Sequence, residues 1–340
     1  MDILIPDQWF EFLAAKGIWW IFLSLLFSFG ALFKGSDWFV EGAAGAAKKL
    51  GIPAIIIGVT IVSIGTTSPE ATVSIMAAFA GKSDIALGNG IGSIICNTAL
   101  IFGLSCMLSR IPTDRYIFKR LGMVKLFSCM GFILLCYVLL IFNCKYVSRL
   151  YGFILLGVMV WYFFKTAKWA KKHRLAGITD AQDINAKRPL AALGLIFFVG
   201  LIIVILASRV LIGSATQICL RFGIPQGVIA ATVIAFGTSV PELATGIASL
   251  VKGHKEIMLG NIIGANILNI FLVIGGSAAV GGLKIPNYFY YFHFPFFVLV
   301  VGLFIIFSAV SKTHYNRIFG AVFLVIYTVY IAAQYTLRMN

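Results

Sequence analysis

Long apolar stretches recur along the whole chain, and each is about as long as a helix that crosses a lipid bilayer. Short segments rich in charged residues, Gly or Pro separate them. Ten stretches can be delimited, and they cover approximately residues 17–47, 54–80, 85–109, 126–142, 150–164, 190–220, 227–251, 257–280, 288–310 and 318–335. The pattern predicts an all-α membrane protein with ten transmembrane helices.

The composition agrees with this prediction, since 60% of the 340 residues are hydrophobic and only 11% are charged. A net charge of +15 would favour nucleic-acid binding in a soluble protein, but here most Lys and Arg lie between the apolar stretches. With the amino terminus outside, 18 of them lie inside and 7 outside. The positive-inside rule therefore predicts both termini outside. We expect a monomer in the plasma (inner) membrane of a prokaryote, with the lipid bilayer around it and no nucleic-acid partner.

The first residues carry no basic start, and no small-residue cleavage site follows the first apolar stretch, so we expect no removable signal peptide. We interpret them as an interfacial lead-in with Trp9, Phe10 and Phe12 at the depth of the lipid headgroups. The six Cys and four His residues show no metal-ligand spacing. We therefore expect no cofactor.

An internal repeat relates the two halves of the chain. Within residues 51–103, 21 of the 53 positions are identical to their partners in 223–275. Five apolar stretches separate equivalent points, and because five is odd the second copy must cross the membrane in the opposite sense. This predicts two inverted five-helix repeats, at 1–168 and 189–340, joined by a cytoplasmic linker at 169–188. Secondary transporters with this plan bind their substrate near the middle of the membrane, where the halves meet.

Two glutamates, Glu70 and Glu242, lie inside otherwise apolar stretches at equivalent repeat positions. A charge in a membrane span is costly, and an equivalent pair indicates a functional cation site rather than two unrelated structural ion pairs. Each glutamate follows a proline, Pro69 or Pro241, which cannot donate a hydrogen bond to the carbonyl group four residues earlier. The sequence therefore predicts carboxylate and free carbonyl oxygens together at two related places.

Further oxygen atoms lie on the same helices and on the next helix of each half. Hydroxyl groups occur three and four residues before each glutamate, and amide and hydroxyl groups occur in the following stretch. These polar residues are Thr66, Thr67, Thr238 and Ser239, and then Ser93, Asn97 and Asn269. Positions three or four apart share one helix face. Hard cations prefer oxygen ligands of these kinds, so the set predicts a site for such a cation.

Glycines at spacing four open the helices that follow the glutamates. The first half has Gly88 and Gly92, and the second half has Gly260 and Gly264. Small residues at this spacing let two helix backbones approach closely in lipid. We interpret these glycines as packing positions.

The first apolar stretch contains charged residues on one face, namely Lys34, Asp37 and Glu41, while the second copy has Arg209 in place of Asp37. This asymmetry argues against a shared role as ion ligands. We interpret the three charges of the first stretch as self-neutralising groups near an aqueous vestibule, with a role in gating as the alternative.

The stretches GTTSPE and GNGIGSIICN in the first half, with GTSVPE and GNIIGANILN in the second, resemble the two alpha repeats of the cation/calcium exchanger superfamily. The close match covers about a third of the chain, and the ten-span plan resembles that family throughout. The resemblance implies a secondary active antiporter that exchanges calcium for sodium by alternating access. Calcium and sodium would bind as transported substrates, and the protein would not be an enzyme.

The resemblance also implies which residues bind the ions. In this family the glutamate of each repeat bridges calcium and sodium sites, so Glu70 and Glu242 are implied as central ligands. The other implied ligands are the hydroxyl groups of Thr66 and Thr238, the backbone carbonyl groups of Ser63 and Ala235, the side chains of Ser93, Asn97 and Asn269, and those of Thr67 and Ser239 beside the carboxylates.

Small differences within these motifs indicate the coupling ion. Proton-coupled relatives resemble GNAPE at the first motif, so GTTSPE and GTSVPE favour sodium. Potassium-dependent relatives resemble a repeat with Asp at the position of Asn269, which favours independence from potassium. Three positions depart from the common pattern, since Thr67 replaces a serine, Ile94 replaces an asparagine and Ala265 lacks the hydroxyl group of its repeat partner Ser93. The last departure predicts unequal sodium sites.

Other functions remain as alternatives at this point. A calcium/proton antiporter or another cation antiporter would use the same buried carboxylates. A cation channel is a further candidate, because glutamates and carbonyl groups also build selectivity filters. Inverted duplication within one chain favours a transporter over a channel. An intramembrane hydrolase is disfavoured, because the sequence has no zinc motif and no base beside a nucleophile.

Overall fold

A computed structural model describes residues 5–113, 118–175, 188–223, 235–311 and 313–338, and nearly all of them are helical. The helices are α1 Asp7–Lys16, α2 Ile18–Leu50, α3 Ala54–Phe79, α4 Ser83–Leu108, α5 Met123–Ile141, α6 Arg149–Leu175, α7 Leu190–Arg221, α8 Ala235–Thr238, α9 Val240–Val251, α10 Lys255–Gly281, α11 Phe289–Val310 and α12 Arg317–Arg338. Two short strands, β1 Tyr146–Val147 and β2 Leu283–Lys284, pair in antiparallel fashion.

The prediction of an all-α membrane protein is confirmed in its coarse form. Within the described part of the chain, nine helices are long and apolar enough to cross a membrane, and they match nine of the ten predicted stretches. Of the remaining stretch, 227–251, the described residues form α8 and α9, and residues 224–234 lie outside the described part. Helix α6 continues to Leu175, and thus into the segment predicted as a linker at 169–188.

Helices α3, α4 and α10 form the centre of the structure, and 94% of the most apolar 18-residue stretch of α10 is buried. Backbone contact between α10 and α3 is close, since a Cβ atom on Gly260 would lie 2.5 Å from the carbonyl oxygen of Ile55. A Cβ atom on Gly264 would lie 2.6 Å from that of Val59. Such contacts admit only glycine, so the predicted packing role is confirmed for these two positions. Gly92 has no neighbour of this kind among the described residues.

Helices α2 and α7, the first and sixth predicted spans, pack along each other with their backbones in contact. A Cβ atom on Gly42 would lie 2.6 Å from the backbone nitrogen of Phe197, and one on Gly200 would lie 2.4 Å from that of Phe39. The rings of Phe39 and Phe197 stack between the two helices, with centroids 4.6 Å apart. Most of α2 and α7 lies on the outside of the helix bundle. Only 22% of the most apolar 18-residue stretch of α2 is buried, and 28% of that of α7. The pair is therefore one unit against the central helices.

The amino-terminal lead-in forms helix α1, and part of its prediction is wrong. Trp9 and Phe12 are exposed, as expected for residues at headgroup depth, but Phe10 is buried. Its ring lies against Gly213 of α7 and under the guanidinium group of Arg209, 5.0 Å from the ring centroid. Arg209 also donates to the carbonyl oxygen of Ile5 at 3.2 Å. The absence of a side chain at Gly213 leaves the space that the Phe10 ring fills, so α1 docks on α7.

Lys125 was expected in a loop between spans, but it lies in the first turn of α5 and is fully buried. Its Nζ donates to Thr98 Oγ1 at 3.2 Å and lies 3.6 Å from the centroid of the Phe304 ring. Asn266 Nδ2 donates to the same hydroxyl oxygen at 2.7 Å. The aliphatic part of a lysine side chain is apolar, and an aromatic face attracts its ammonium group, so this helix can begin earlier than its charge pattern suggests.

The charged face of α2 does not neutralise itself. Lys252 Nζ, just after α9, lies 2.9 Å from Asp37 and 3.7 Å from Glu41, and Arg188 pairs with Glu41 at 2.9 Å. Lys34 instead lies 5.4 Å from the centroid of the Trp38 ring. The interpretation of Lys34, Asp37 and Glu41 as a self-contained group is therefore wrong. Their acidic members connect α2 to the end of α9 and to the start of α7.

Candidate functional site

Glu70 and Glu242 lie together at the centre of the described structure, with 0% and 1% of their surface exposed. Their carboxylates interact electrostatically although the residues are far apart in sequence. Helix α3 continues through Pro69 to Glu70, whereas Ser239 breaks the second motif between α8 and α9 and places Glu242 in the first turn of α9. The second glutamate therefore lies at a helix amino terminus, where N–H groups and the helix dipole favour a negative charge.

Several buried acceptor oxygens around this pair have no donor among the described residues. They are both Oε atoms of Glu70, Oε2 of Glu242, and Oδ1 of Asn97 and of Asn269. Glu242 Oε1 accepts a bond from Thr67 Oγ1 at 3.3 Å. An unpaired buried acceptor costs about 1–3 kcal/mol, so native proteins rarely leave one without a partner. Five of them in one place, contributed by repeat-equivalent residues, fit a positively charged ligand.

Ser93 connects the two asparagines at the floor of this group. Asn269 Nδ2 donates to Ser93 Oγ at 3.1 Å, and Asn97 Nδ2 lies 3.4 Å from the same atom. Ser239 Oγ lies 3.3 Å away from it. Each asparagine therefore turns its N–H groups to Ser93 and leaves its Oδ1 atom to face away. Both asparagines lie at π-helical turns, at Cys96–Ile101 and Asn269–Ile274, and such turns are common at functional sites.

The two predicted threonine ligands each contact an asparagine of the other repeat. Thr66 Oγ1 donates to Asn261 Oδ1 at 3.1 Å, and Thr238 Oγ1 donates to Asn89 Oδ1 at 3.0 Å. These two bonds are equivalent under the repeat. Thr66 Oγ1 also lies 3.4 Å from the carbonyl oxygen of Ser63, the first residue after a π-helical turn.

The predicted ligands lie on α3, α4, α8, α9 and α10, with Ser239 between α8 and α9. Ten of the eleven side chains can be described, and all ten are buried: Ser63, Thr66, Thr67, Glu70, Ser93, Asn97, Thr238, Ser239, Glu242 and Asn269. Ala235, predicted to contribute only its backbone carbonyl group, begins α8 at the edge of the described part. The assignment of these residues as ion ligands stays a prediction.

Sequence reasoning missed Asn89 and Asn261. Both stand next to a glycine of the small-residue face, and the Gly-Asn pair was interpreted for its glycine alone. Each asparagine is an internal repeat match, which is the same signal that identified Glu70 and Glu242. That signal could have included them.

The arrangement can bind a hard cation but contains no group of three or more His, Cys, Asp and Glu within the described ranges. Two carboxylates with neutral amide, hydroxyl and carbonyl oxygens match the preferences of calcium and sodium. In the low dielectric of a buried site, two adjacent carboxylates repel each other strongly, so a divalent cation between them removes a large unfavourable energy. The site can therefore bind one divalent ion or several monovalent ions, all through oxygen.

The family model described as sodium/calcium exchanger protein matches this chain at residues 20–166 and again at 192–336. The chain belongs to the sodium/calcium exchanger family. The two matched segments correspond to the two halves of the internal repeat, and they contain both glutamates and the polar residues around them.

Relatives in the family share most of the length of this chain. An uncharacterized membrane protein of Methanocaldococcus jannaschii is 32% identical over 314 residues, 91% of this chain and 95% of that protein. The sodium/calcium exchanger MaX1 of Methanosarcina acetivorans is 29% identical and covers 92% of this chain and 98% of its own length. Among solved structures, the sodium-calcium exchanger NCX_Mj superposes with a TM-score of 0.78 at 29% identity, covering 93% of this chain and 99% of that chain.

Ala265→Ser is expected to lower the half-saturating sodium concentration of this exchanger several-fold and to steepen its sodium dependence. Ala265 is fully buried in α10. It lacks the hydroxyl group that its repeat partner Ser93 has, which accepts a hydrogen bond from Asn269 of the second half. One restored neutral contact in a water-poor site should contribute on the order of 1 kcal/mol. Sodium titrations of calcium uptake by the wild type and the variant measure the change. Superimposable titration curves would show that Ala265 does not limit sodium binding.

Proposed function

We propose that this protein exchanges calcium for sodium across the membrane, with both ions bound between the repeats at Glu70 and Glu242. The observation that carries the proposal is the set of five buried acceptor oxygens that have no donor among the described residues, three of them on these two carboxylates. Unpaired carboxylate oxygens inside a membrane span are costly, and residues of this kind mark ion pathways. The named exchangers among the relatives support calcium and sodium as the two ions.

The ten-span inverted plan is part of this proposal, and contacts between loops support it. β1 precedes α6 and β2 precedes α11, and the two strands pair, so both loops lie on one side of the bundle. Between them the chain passes along the long helices α6, α7 and α10, and an odd number of crossings would end on the opposite side. This supports a further crossing by the segment that contains α8 and α9. A tenth crossing would make the two halves inverted, and the positive-inside rule then favours both termini outside.

We infer alternating access as the mechanism. The α2–α7 unit has its own close internal packing and lies against central helices that contain the site, so it can move while α3, α4, α9 and α10 hold their geometry. The two carboxylates must be neutralised either by calcium or by sodium. Because the two ions bind to the same carboxylates in turn and not together, their fluxes are coupled. A channel would need a continuous open path, and the burial of every described ligand side chain favours a transporter.

The proposal is tested by calcium-45 uptake into proteoliposomes that contain the purified protein and a sodium gradient. Uptake should require internal sodium, and its rate should be unchanged when potassium is omitted, because Asn269 offers an amide where a potassium-dependent relative would have a carboxylate. Imposed proton gradients without sodium should not drive uptake. Uptake driven by protons alone would replace the proposal with the calcium/proton antiporter. Single-channel conductance would replace it with the channel.

Lys252→Gln is expected to raise the maximal exchange rate by up to about fivefold without changing the half-saturating calcium concentration. The Lys252–Asp37 pair, at 2.9 Å, connects the α2–α7 unit to the end of α9, and such a half-exposed pair contributes up to about 1 kcal/mol. Movement of α2 past α9 must break it. Lys255→Gln is the matched control, since Lys255 lies three residues further on, at the start of α10, and contacts the carbonyl oxygen of Arg110 instead. Equal rates in Lys252→Gln and the wild type would contradict this role.

A further inference from the structure

Asn89 and Asn261 contact the predicted threonine ligands but are not themselves among the predicted ligands. Asn261 is buried, with 1% of its surface exposed, and lies at the contact of α10 with α3. The two asparagines occupy equivalent repeat positions, and each touches its own repeat and the other one. What they do for ion binding follows from which of their atoms donate and which accept.

The direction of the bonds at Asn261 is fixed by a backbone carbonyl group, which can only accept. Thr245 Oγ1 donates to the carbonyl oxygen of Pro241 at 2.8 Å. Having given its proton away, the Thr245 hydroxyl accepts from Asn261 Nδ2 at 3.2 Å. The amide group of Asn261 must therefore place its Oδ1 atom toward Thr66, and Thr66 must be the donor in that bond, at 3.1 Å.

The same reasoning holds at Asn89, where the fixed acceptor is the carbonyl oxygen of Glu70. Asn89 Nδ2 lies 3.2 Å from that oxygen and 2.9 Å from Ser74 Oγ. Its Oδ1 atom consequently faces Thr238, which donates to it at 3.0 Å. In both halves the chain of donors starts at a threonine of one repeat and ends at the proline-glutamate segment of the other.

A hydroxyl group can bind a cation only through its oxygen lone pairs, so its proton must point elsewhere. Asn261 accepts that proton from Thr66. Without it, the proton can turn to the carbonyl oxygen of Ser63, 3.4 Å away, which is itself an expected ligand. Asn261 thus keeps both oxygens, the hydroxyl of Thr66 and the carbonyl of Ser63, available to an ion.

We propose that Asn89 and Asn261 are positioning residues that take the hydroxyl protons of Thr238 and Thr66 away from the ion and so set the affinity of the site. They act through the threonines and do not touch the ion. The inference rests on the proposed function, since it assumes that the threonine oxygens face a transported cation. It also means that each repeat completes the ligand set of the other.

Double-mutant cycles test this, with half-saturating calcium and sodium concentrations for uptake as one readout and calcium-induced thermal stabilisation of the purified protein as the other. Asn261→Ala is expected to raise half-saturating calcium about tenfold in the wild-type background. In the Thr66→Val background, Asn261→Ala should change the half-saturating calcium concentration less than twofold, because no hydroxyl proton remains at position 66. Asn89→Ala should behave in the same way toward Thr238→Val.

The crossed pairs provide the matched control. Asn89 makes no described bond to Thr66, so Asn89→Ala and Thr66→Val should have additive effects on calcium affinity. If Asn261→Ala does not fold, the cycle of Asn89 with Thr238 decides alone, since Asn89 is only half-buried. Additive effects in the direct pairs would overturn the proposal and leave the asparagines as structural residues.

Failure of the proposed function would look different. In that case the wild-type protein itself would show neither sodium-driven uptake nor stabilisation by calcium or sodium, and the positioning role would fall with it. A wild type that binds and exchanges these ions, combined with additive direct pairs, removes only the role of Asn89 and Asn261.

Discussion

Glu70→Gln and Glu242→Gln are each expected to reduce sodium-driven calcium uptake to the background of empty liposomes. A unit charge about 4 Å from another contributes roughly 4 kcal/mol at an effective dielectric constant of 20, and about twice that toward a divalent ion. Because every 1.4 kcal/mol is a factor of ten, the loss of one carboxylate lowers calcium affinity by several orders of magnitude. The amide keeps the size of the side chain, so the helices should pack as before.

Uptake and thermal unfolding in detergent are measured together for both variants. Glu11→Gln is the control, since it makes the same chemical change on the exposed surface of α1. The unfolding temperature of Glu70→Gln should equal or exceed that of the wild type in calcium-free buffer, because one of two repelling buried charges is gone. Calcium uptake near the wild-type rate in either variant would exclude that glutamate as a ligand.

Gly42→Ala is expected to destabilise the protein by about 1–3 kcal/mol and to slow exchange. A Cβ atom at Gly42 would lie 2.6 Å from the backbone nitrogen of Phe197 and 2.7 Å from the carbonyl oxygen of Leu193, so α2 and α7 would have to separate. Backbone atoms in a helix cannot yield as the end of a flexible side chain can, and overpacking therefore costs energy in this range. The unfolding temperature should fall by roughly 5 °C.

The matched control for this variant lies on the same helix. Gly30→Ala adds the same methyl group at an exposed position, where no atom of the described part of the chain lies within 4 Å of the added atom. Alanine also favours a helix over glycine by up to about 1 kcal/mol, so this control should be as stable as the wild type or slightly more so. If the unfolding temperature fell equally in both variants, the glycines of α2 would be needed for the flexibility of this helix and not for its contact with α7.

The helical stretches, the duplication and the two glutamates could all be predicted from the sequence. Apolar runs of bilayer length are local signals, because every backbone group in lipid must be satisfied within its own helix. The repeat is a comparison of the chain with itself, and it singled out Glu70 and Glu242 without knowledge of their surroundings. Charges in apolar spans are rare enough for two equivalent ones to indicate a site.

Contacts between helices could not be predicted in this way. Lys125 is buried because Thr98 and the Phe304 ring face it, and Phe10 is buried because Gly213 leaves room for its ring. In both cases the partner lies on another helix. When only its own segment is considered, a charge or an aromatic ring near the end of a span fits an interfacial position as well as a buried one.

The sequence by itself thus determined the candidate residues of the site, since residue identity and spacing fix their chemistry and helix face. The tertiary structure alone decided that Thr66 meets Asn261 and that Thr238 meets Asn89, and that Asp37 meets Lys252. These pairings depend on which faces of distant helices come together, and close packing at small residues such as Gly260 fixes that choice. Hydrogen-bond direction is likewise a property of the assembled network, because each donor is committed only once its neighbour is in place.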